Sequence, residues 1–193
     1  MEDNRTLGNK NIIKNLEIFI SKVFLPLGYE ITKNITIDKE KENLIYSAMS
    51  FSLNNKNIVY RKAKITNTRP GAFLTLWKRP DKLTTNTKPI ALNYDELDCL
   101  IVEVYEDINN QGLFIFPNFI LINKKIISTE KYKGKTAFRV FPPWSKDKGI
   151  VGTQVFSQSA KKTQSWQLDF FLKIDKNGNI NSNELNNILN IKI

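Results

Sequence analysis

Five carboxylates, Asp95, Glu96, Asp98, Glu103 and Glu106, sit on or beside an apolar run, CLIVEVY, from Cys99 to Tyr105. Acids at the mouth of a sheet, next to a cationic groove, are what a metal-dependent nuclease uses: carboxylates hold Mg²⁺, and a lysine stabilises developing charge or activates water. On that chemistry Asp98 is the candidate first ligand and Lys78, in Leu76-Trp77-Lys78, the candidate lysine. The spacing resists it. Asp98 and Glu103 fall on opposite faces of a strand, so one metal cannot take both without a bulge. The favoured alternative is structural: Asp95 and Asp98 cap a loop, and Glu103 pairs with a lysine of a neighbouring strand. No metal site and no cofactor is assigned.

A second chemistry lies upstream. Between Glu42 and Asp81 there is no acid, while Lys56, Arg61, Lys62, Lys64, Arg69, Lys78 and Arg79 all fall there, interleaved with Tyr60 and Trp77. Positive charge without a local partner points to an external anion. The segment NIVYRKAKITNTRPGAFLTLWKR, residues 57–79, is predicted as a hairpin, two strands joined at Thr66 to Gly71, where Asn67, Pro70 and Gly71 supply turn chemistry. Alternation puts Tyr60, Lys62 and Lys64 on one face and Arg61, Ala63 and Ile65 on the other, so the first strand is expected near an edge or a groove. The competing view is a solvated edge strand whose lysines deter edge pairing. Arg139, Trp144, Lys161, Lys162, Gln164, Trp166 and Gln167 extend the candidate surface. Trp and Tyr stack on bases, Arg and Lys meet phosphates, and Gln reads base edges. Trp144 and Trp166 serve equally as core anchors, which is the better assignment for Trp166.

Absences narrow the chemistry further. The 193 residues contain no histidine, which removes Ser-His-Asp and Cys-His mechanisms and His-ligated zinc. The single cysteine, Cys99, sits among Leu97, Leu100 and Ile101 and reads as a buried small hydrophobe in a reducing cytoplasm. Asp175, Asn177 and Asn179 resemble a calcium loop, but the sixth position is Ile180 and the twelfth Asn186, where glycine and a bidentate acid belong. No glycine-rich phosphate loop occurs. With 29 Lys and Arg against 19 Asp and Glu, the net charge of +10 favours polyanions, although abundant Asn, Ile and Lys also fit compositional drift. No signal peptide and no apolar run of membrane-spanning length appears, so a soluble cytoplasmic protein is expected.

The elements that must position these residues make one α/β domain over 1–193, with a central mixed sheet flanked by helices. Ile12, Ile13, Leu16, Phe19, Ile20 and Val23 mark an amphipathic helix ended by Pro26 and Gly28. Strands are predicted after Tyr29, over 47–53 and over 137–141, with an exposed loop after Ile37 and another over 80–89. The runs 99–105 and 113–122 are the most apolar and are assigned to the sheet centre. The segment 152–174 fits a helical face and also alternates near its end, and its composition favours helix. A turn at Asn177 to Asn179 leads into a helix from Ser182, read as its N-cap, to Leu189.

Together YRKAK at Tyr60 to Lys64, Gly71-Ala72-Phe73 to Trp77-Lys78-Arg79, Asp98 with its apolar strand, FIFP at Phe114 to Pro117, the segment from Gly134 ending in FRVFPPW at Trp144, and TQSWQ at Thr163 to Gln167 with Phe170-Phe171 resemble the MepB family of bacterial proteins. The resemblance spans about Leu44 to Phe171. It implies a fold similar to restriction endonucleases and nucleic-acid binding, DNA or RNA, as the activity. The usual active site of that fold is a strand acid followed by acid-x-Lys, and no Lys here follows an Asp or Glu by two positions. The expectation is therefore a catalytically degenerate nucleic-acid binder, with Arg61, Lys62, Lys64, Lys78, Arg79, Arg139, Lys161 and Gln164 as polar contacts and Tyr60, Trp77 or Trp144 stacking. A nuclease using Asp98 and Lys78, and a regulator that binds an acidic protein or a small anion, are the alternatives.

Overall fold

The computed structural model describes residues 4–80, 88–145 and 155–189. Its elements, in order, are α1 (Asn4–Val23), β1 (Ile31–Ile37), α2 (Lys41–Leu44), β2 (Met49–Leu53), β3 (Lys56–Lys62), β4 (Lys64–Thr66), β5 (Arg69–Thr75), β6 (Trp77–Lys78), β7 (Ile90–Ala91), β8 (Cys99–Asp107), β9 (Asn110–Pro117), α3 (Asn118–Asn123), β10 (Ala137–Val140), α4 (Gln158–Leu168), β11 (Phe171–Lys173) and α5 (Ser182–Leu189). A six-stranded sheet has the order β1-β2-β3-β8-β9-β11. All its pairings are antiparallel except β3–β8, the parallel pair at its centre. A three-stranded sheet, β10-β5-β4, and the β6–β7 pair complete the strands. Most of the predicted loop over 80–89 and the first residues of the 152–174 segment lie outside the described residues.

One hydrophobic core serves both larger sheets. Leu16, Ile20 and Val23 of α1 meet it on the predicted stripe, β8 and β9 fill its middle, and Ala72, Leu74 and Val140 bring the small sheet into it. The first helix ends in a 3₁₀ turn, Leu25–Leu27, with Gly28 at φ 80° closing it.

The structure departs from the sequence-based hairpin. Residues 57–62 belong to β3, a buried strand paired on both sides in the large sheet, and only Lys64–Thr66 pairs with Arg69–Thr75. The chain changes sheets at Ala63, whose amide still donates to the Glu103 carbonyl while Lys62 N–H donates to Tyr46 O. A strand carrying Tyr60 and Arg61 tolerates this burial because its polar ends are met inside the protein. Arg61, 3% exposed, donates from Nε to Thr75 O, from Nη1 to Tyr60 O and from Nη2 to Asp38 Oδ2 at 3.2 Å. Asp38 was expected in an exposed loop. Instead its Oδ2 also receives Asn43 Nδ2, and the fully buried Asn43 binds Trp77 O and Thr75 Oγ1.

Further differences have local causes. The predicted strand over 113–122 stops at Pro117, which opens α3 at φ −58°, while Asn118 Nδ2 binds the carbonyls of Tyr94 and Leu97. The segment 152–174 divides into α4 and the strand β11, so both of its periodicities are realised in succession. The α5 cap is Asn181, whose Oδ1 accepts from the amides of Asn183 and Glu184, and not Ser182.

Removing one member of a buried charge pair leaves the other uncompensated. Arg61→Ala is therefore expected to cost about 3–5 kcal/mol of stability, read as a lowered urea midpoint. Lys62→Ala, at a side chain 45% exposed, is expected to change it by less than about 1 kcal/mol.

Candidate functional site

The small sheet turns one face inward and one outward. Along β5, Ala72 and Leu74 are buried, so Arg69, Gly71, Phe73 and Thr75 take the other side. Register then aligns three strands: Phe73 lies opposite Lys64 of β4 and opposite Arg139 of β10. Directly opposed residues share a face. That face carries Lys64, Phe73 and Arg139 in a row, with Arg69 at the near end of β5; Lys64 and Arg69 are exposed, while Arg139 and Phe73 are half-buried, Phe73 packing against the buried Tyr46.

Gly71 makes this possible. Its φ is 73°, a conformation that side chains disfavour, and a Cβ there would meet the Phe141 ring and the Val140 carbonyl at 2.5 and 2.6 Å. The carbonyls of Pro70 and Gly71 then accept from Arg139 Nη1, each at 3.1 Å, and Thr66 Oγ1 accepts from Nη2 at 2.7 Å. The guanidinium carbon sits 5.6 Å from the centroid of the Phe73 ring. Partial burial and then the nearby Arg69 charge lower the Arg139 pKa. Two guanidinium groups thus feel each other across a surface where, among the described residues, neither Lys64 nor Arg69 has an acidic partner.

Beside the edge strand β10 is a cleft of about 390 Å³, bordered by Lys124, Lys135, Arg139, Thr163, Trp166 and Gln167. Lys124 Nζ lies 5.2 Å from the Trp166 ring centroid. Gln167, wholly buried, completes the edge like a strand segment: its Oε1 accepts from Phe141 N and its Nε2 donates to Arg139 O. Lys124 and Lys135 were not among the candidates from sequence. A signal was available, since Lys124, Lys125, Lys131, Lys133, Lys135 and Arg139 fall in a stretch with Glu130 as its only acid.

The predicted site residues separate into groups. Lys64 and Arg139 come together on the small sheet. Arg61 faces inward, as described above. Tyr60 is buried, its hydroxyl donating to Glu103 Oε2, and burial followed by the Glu103 charge raises its pKa well above the ordinary value. Lys62 pairs with Glu103 Oε1 at 2.7 Å. Trp77 is buried beneath Arg79, whose guanidinium carbon is 5.4 Å from its ring and which pairs with Glu40 and Glu42. Lys78 pairs with Glu96 at 2.6 Å. On α4, Lys161 is exposed, and Gln164 donates to Pro142 O. Trp144 packs edge-on against Phe171 and Trp166 against Phe116, both at the rim of the core.

The acids do not converge. Asp98 Oδ2 accepts the Asn57 amide at 2.7 Å, tying the start of β8 to β3. Glu96 holds Lys78 and the Asn93 amide, and Glu103 holds Tyr60 and Lys62. Among the described residues no three Asp, Glu or Cys side chains form a metal-ligand set. No helix among them is long and apolar enough to cross a membrane.

A family model described as MepB-like matches residues 40–173. A solved structure described as the crystal structure of MepB aligns with 33% sequence identity and a TM-score of 0.60, covering 72% of this chain and 85% of that one. No curated protein matches.

Burial pushes the Cys99 thiol from 9.0 up to about 12, with Lys56 opposing and Asp98 reinforcing the shift. The folded state then favours the protonated thiol, so this contribution to stability is complete below the unfolded pKa and is lost as pH rises from about 9 toward about 12. Native protein is expected to resist Ellman's reagent at neutral pH and to react fully in denaturant. Cys99→Ala should flatten the fall in stability across that alkaline range.

Proposed function

The chain belongs to the MepB-like family, and from that premise we propose that it is a cytoplasmic nucleic-acid-binding protein whose contact surface is the outward face of the small sheet. The observation that carries the proposal is the row Lys64–Phe73–Arg139 with Arg69 beside it, a cationic and aromatic face without an acid among its members. Cations on a rigid sheet attract phosphates, and aromatic and guanidinium planes meet bases. The cleft of Lys124, Lys135 and Trp166 continues the positive surface past the edge of β10.

A mixed sheet flanked by helices, with Asp98 at the start of a central strand, supports kinship with the restriction-endonuclease-like fold. Catalysis is absent from the proposal. Asp98 is engaged with a backbone amide, and Lys78 with Glu96 rather than with Asp98. Two-metal phosphodiester cleavage needs carboxylates that converge.

Binding of a labelled oligonucleotide, followed by anisotropy, is expected to weaken steeply as salt rises, because each neutralised phosphate releases counterions. Lys64→Ala and Arg69→Ala should each reduce the slope of log K against log salt by about one. Lys78→Ala should change it much less, since its charge is already matched by Glu96. Affinity that stays flat between low and moderate salt would overturn the electrostatic basis. Incubation of plasmid with Mg²⁺ or Mn²⁺ is expected to leave it intact, and cleavage abolished by Asp98→Asn would restore a nuclease.

A further inference from the structure

The central arginine of the basic face keeps little freedom. Its Nη1 and Nη2 are committed to the Pro70 and Gly71 carbonyls and to Thr66 Oγ1, so the guanidinium is locked in place over the Phe73 ring. Phe73 is itself held edge-on by Tyr46, with ring centroids 5.9 Å apart. Both the hairpin tip and the Tyr46 side therefore brace this platform.

A phosphate asks chiefly for positive charge, and a mobile lysine supplies it. A guanidinium with this much of its fork occupied offers something else, namely its flat, weakly hydrated face. Such faces, like aromatic rings, recognise the face of an unstacked base. In a duplex those faces are covered by neighbouring base pairs. Beside the platform stand two cations that have no acidic partner among the described residues: Lys64 on β4, two residues along from the Thr66 that binds the guanidinium, and Arg69 at the near end of β5.

Resting on the nucleic-acid function proposed above, we infer that the ligand is single-stranded, with one base stacked on the Arg139 plane above Phe73 and its flanking phosphates at Lys64 and Arg69. Full-length protein is titrated into a labelled single-stranded 20-mer and into the duplex of the same sequence, at equal salt. The single strand is expected to bind at least about tenfold more tightly. Arg139→Lys keeps the charge and removes the plane. It should weaken single-strand binding about fivefold or more beyond any loss on the duplex. Near-UV circular dichroism checks that the variant remains folded, and the wild-type comparison does not depend on it. Duplex bound as tightly as the single strand overturns this inference and leaves the nucleic-acid function standing. Equal losses on both ligands with Arg139→Lys, or no loss, overturn the stacking platform. Absence of binding to either ligand overturns the function together with the inference.

Discussion

A guanidinium buried where two sheets meet sets the geometry of this protein. Arg61 belongs to β3 of the large sheet, yet it donates to Thr75 at the end of β5 in the small one and to Asp38 beyond β1. Burial lowers its pKa to about 10, and the Asp38 charge opposes that shift. A charge taken out of water is tolerated when its donors are met, and here a carboxylate and two carbonyls meet them. Asn43 links the same carboxylate to Trp77 and Thr75. The β5 strand is thereby hung at a defined place on the large sheet, and with it Phe73 and the strands on either side.

The same network sorts the charges of the protein. Residues 43–80 contain cations and no acids, but folding brings acids from both flanks to them: Asp38 to Arg61, Glu40 and Glu42 to Arg79, Glu96 to Lys78, and Glu103 to Lys62. Exposed pairs of this kind add little stability. Their larger effect is on the field outside the protein, because they match four of the seven cations of this stretch and leave Lys56 on the large sheet and Lys64 and Arg69 on the small one. Among the described residues, Lys64 and Arg69 have no acidic partner there beside Arg139. These acids lie in the segment between β1 and β2 (Asp38, Glu40 and Glu42), in the loop before β8 (Glu96 and Asp98) and on β8 itself (Glu103), each engaged with an amide, a hydroxyl or a cation.

Much of the fold was legible from residue pattern. The apolar stripe of α1, the central strands at 99–105 and 113–117, the strand at 137–140 and the helix at 182–189 follow from periodicity and punctuation, which depend on neighbours in sequence. The structural roles assigned to the carboxylates held in part: Glu103 does pair with a lysine of the adjacent strand. The hairpin over 57–79 did not form as expected. Alternation cannot tell an exposed polar strand from one whose polar ends are satisfied from a distance, and the partners of Arg61 and Tyr60 lie 23 and 43 residues away.

Sequence alone determined the chemical repertoire: no histidine, one cysteine inside an apolar strand, no acid-x-Lys, and an acid-free basic interval with aromatics. Those are properties of composition and spacing, and no arrangement of the chain alters them. Tertiary structure alone decided which cations stand without an acidic partner among the described residues and which serve internal acids. That selection depends on pairing between strands far apart in the chain, and on a sheet change at Ala63 that turns Arg61 inward and leaves Lys64 outside, in register with Phe73 and Arg139.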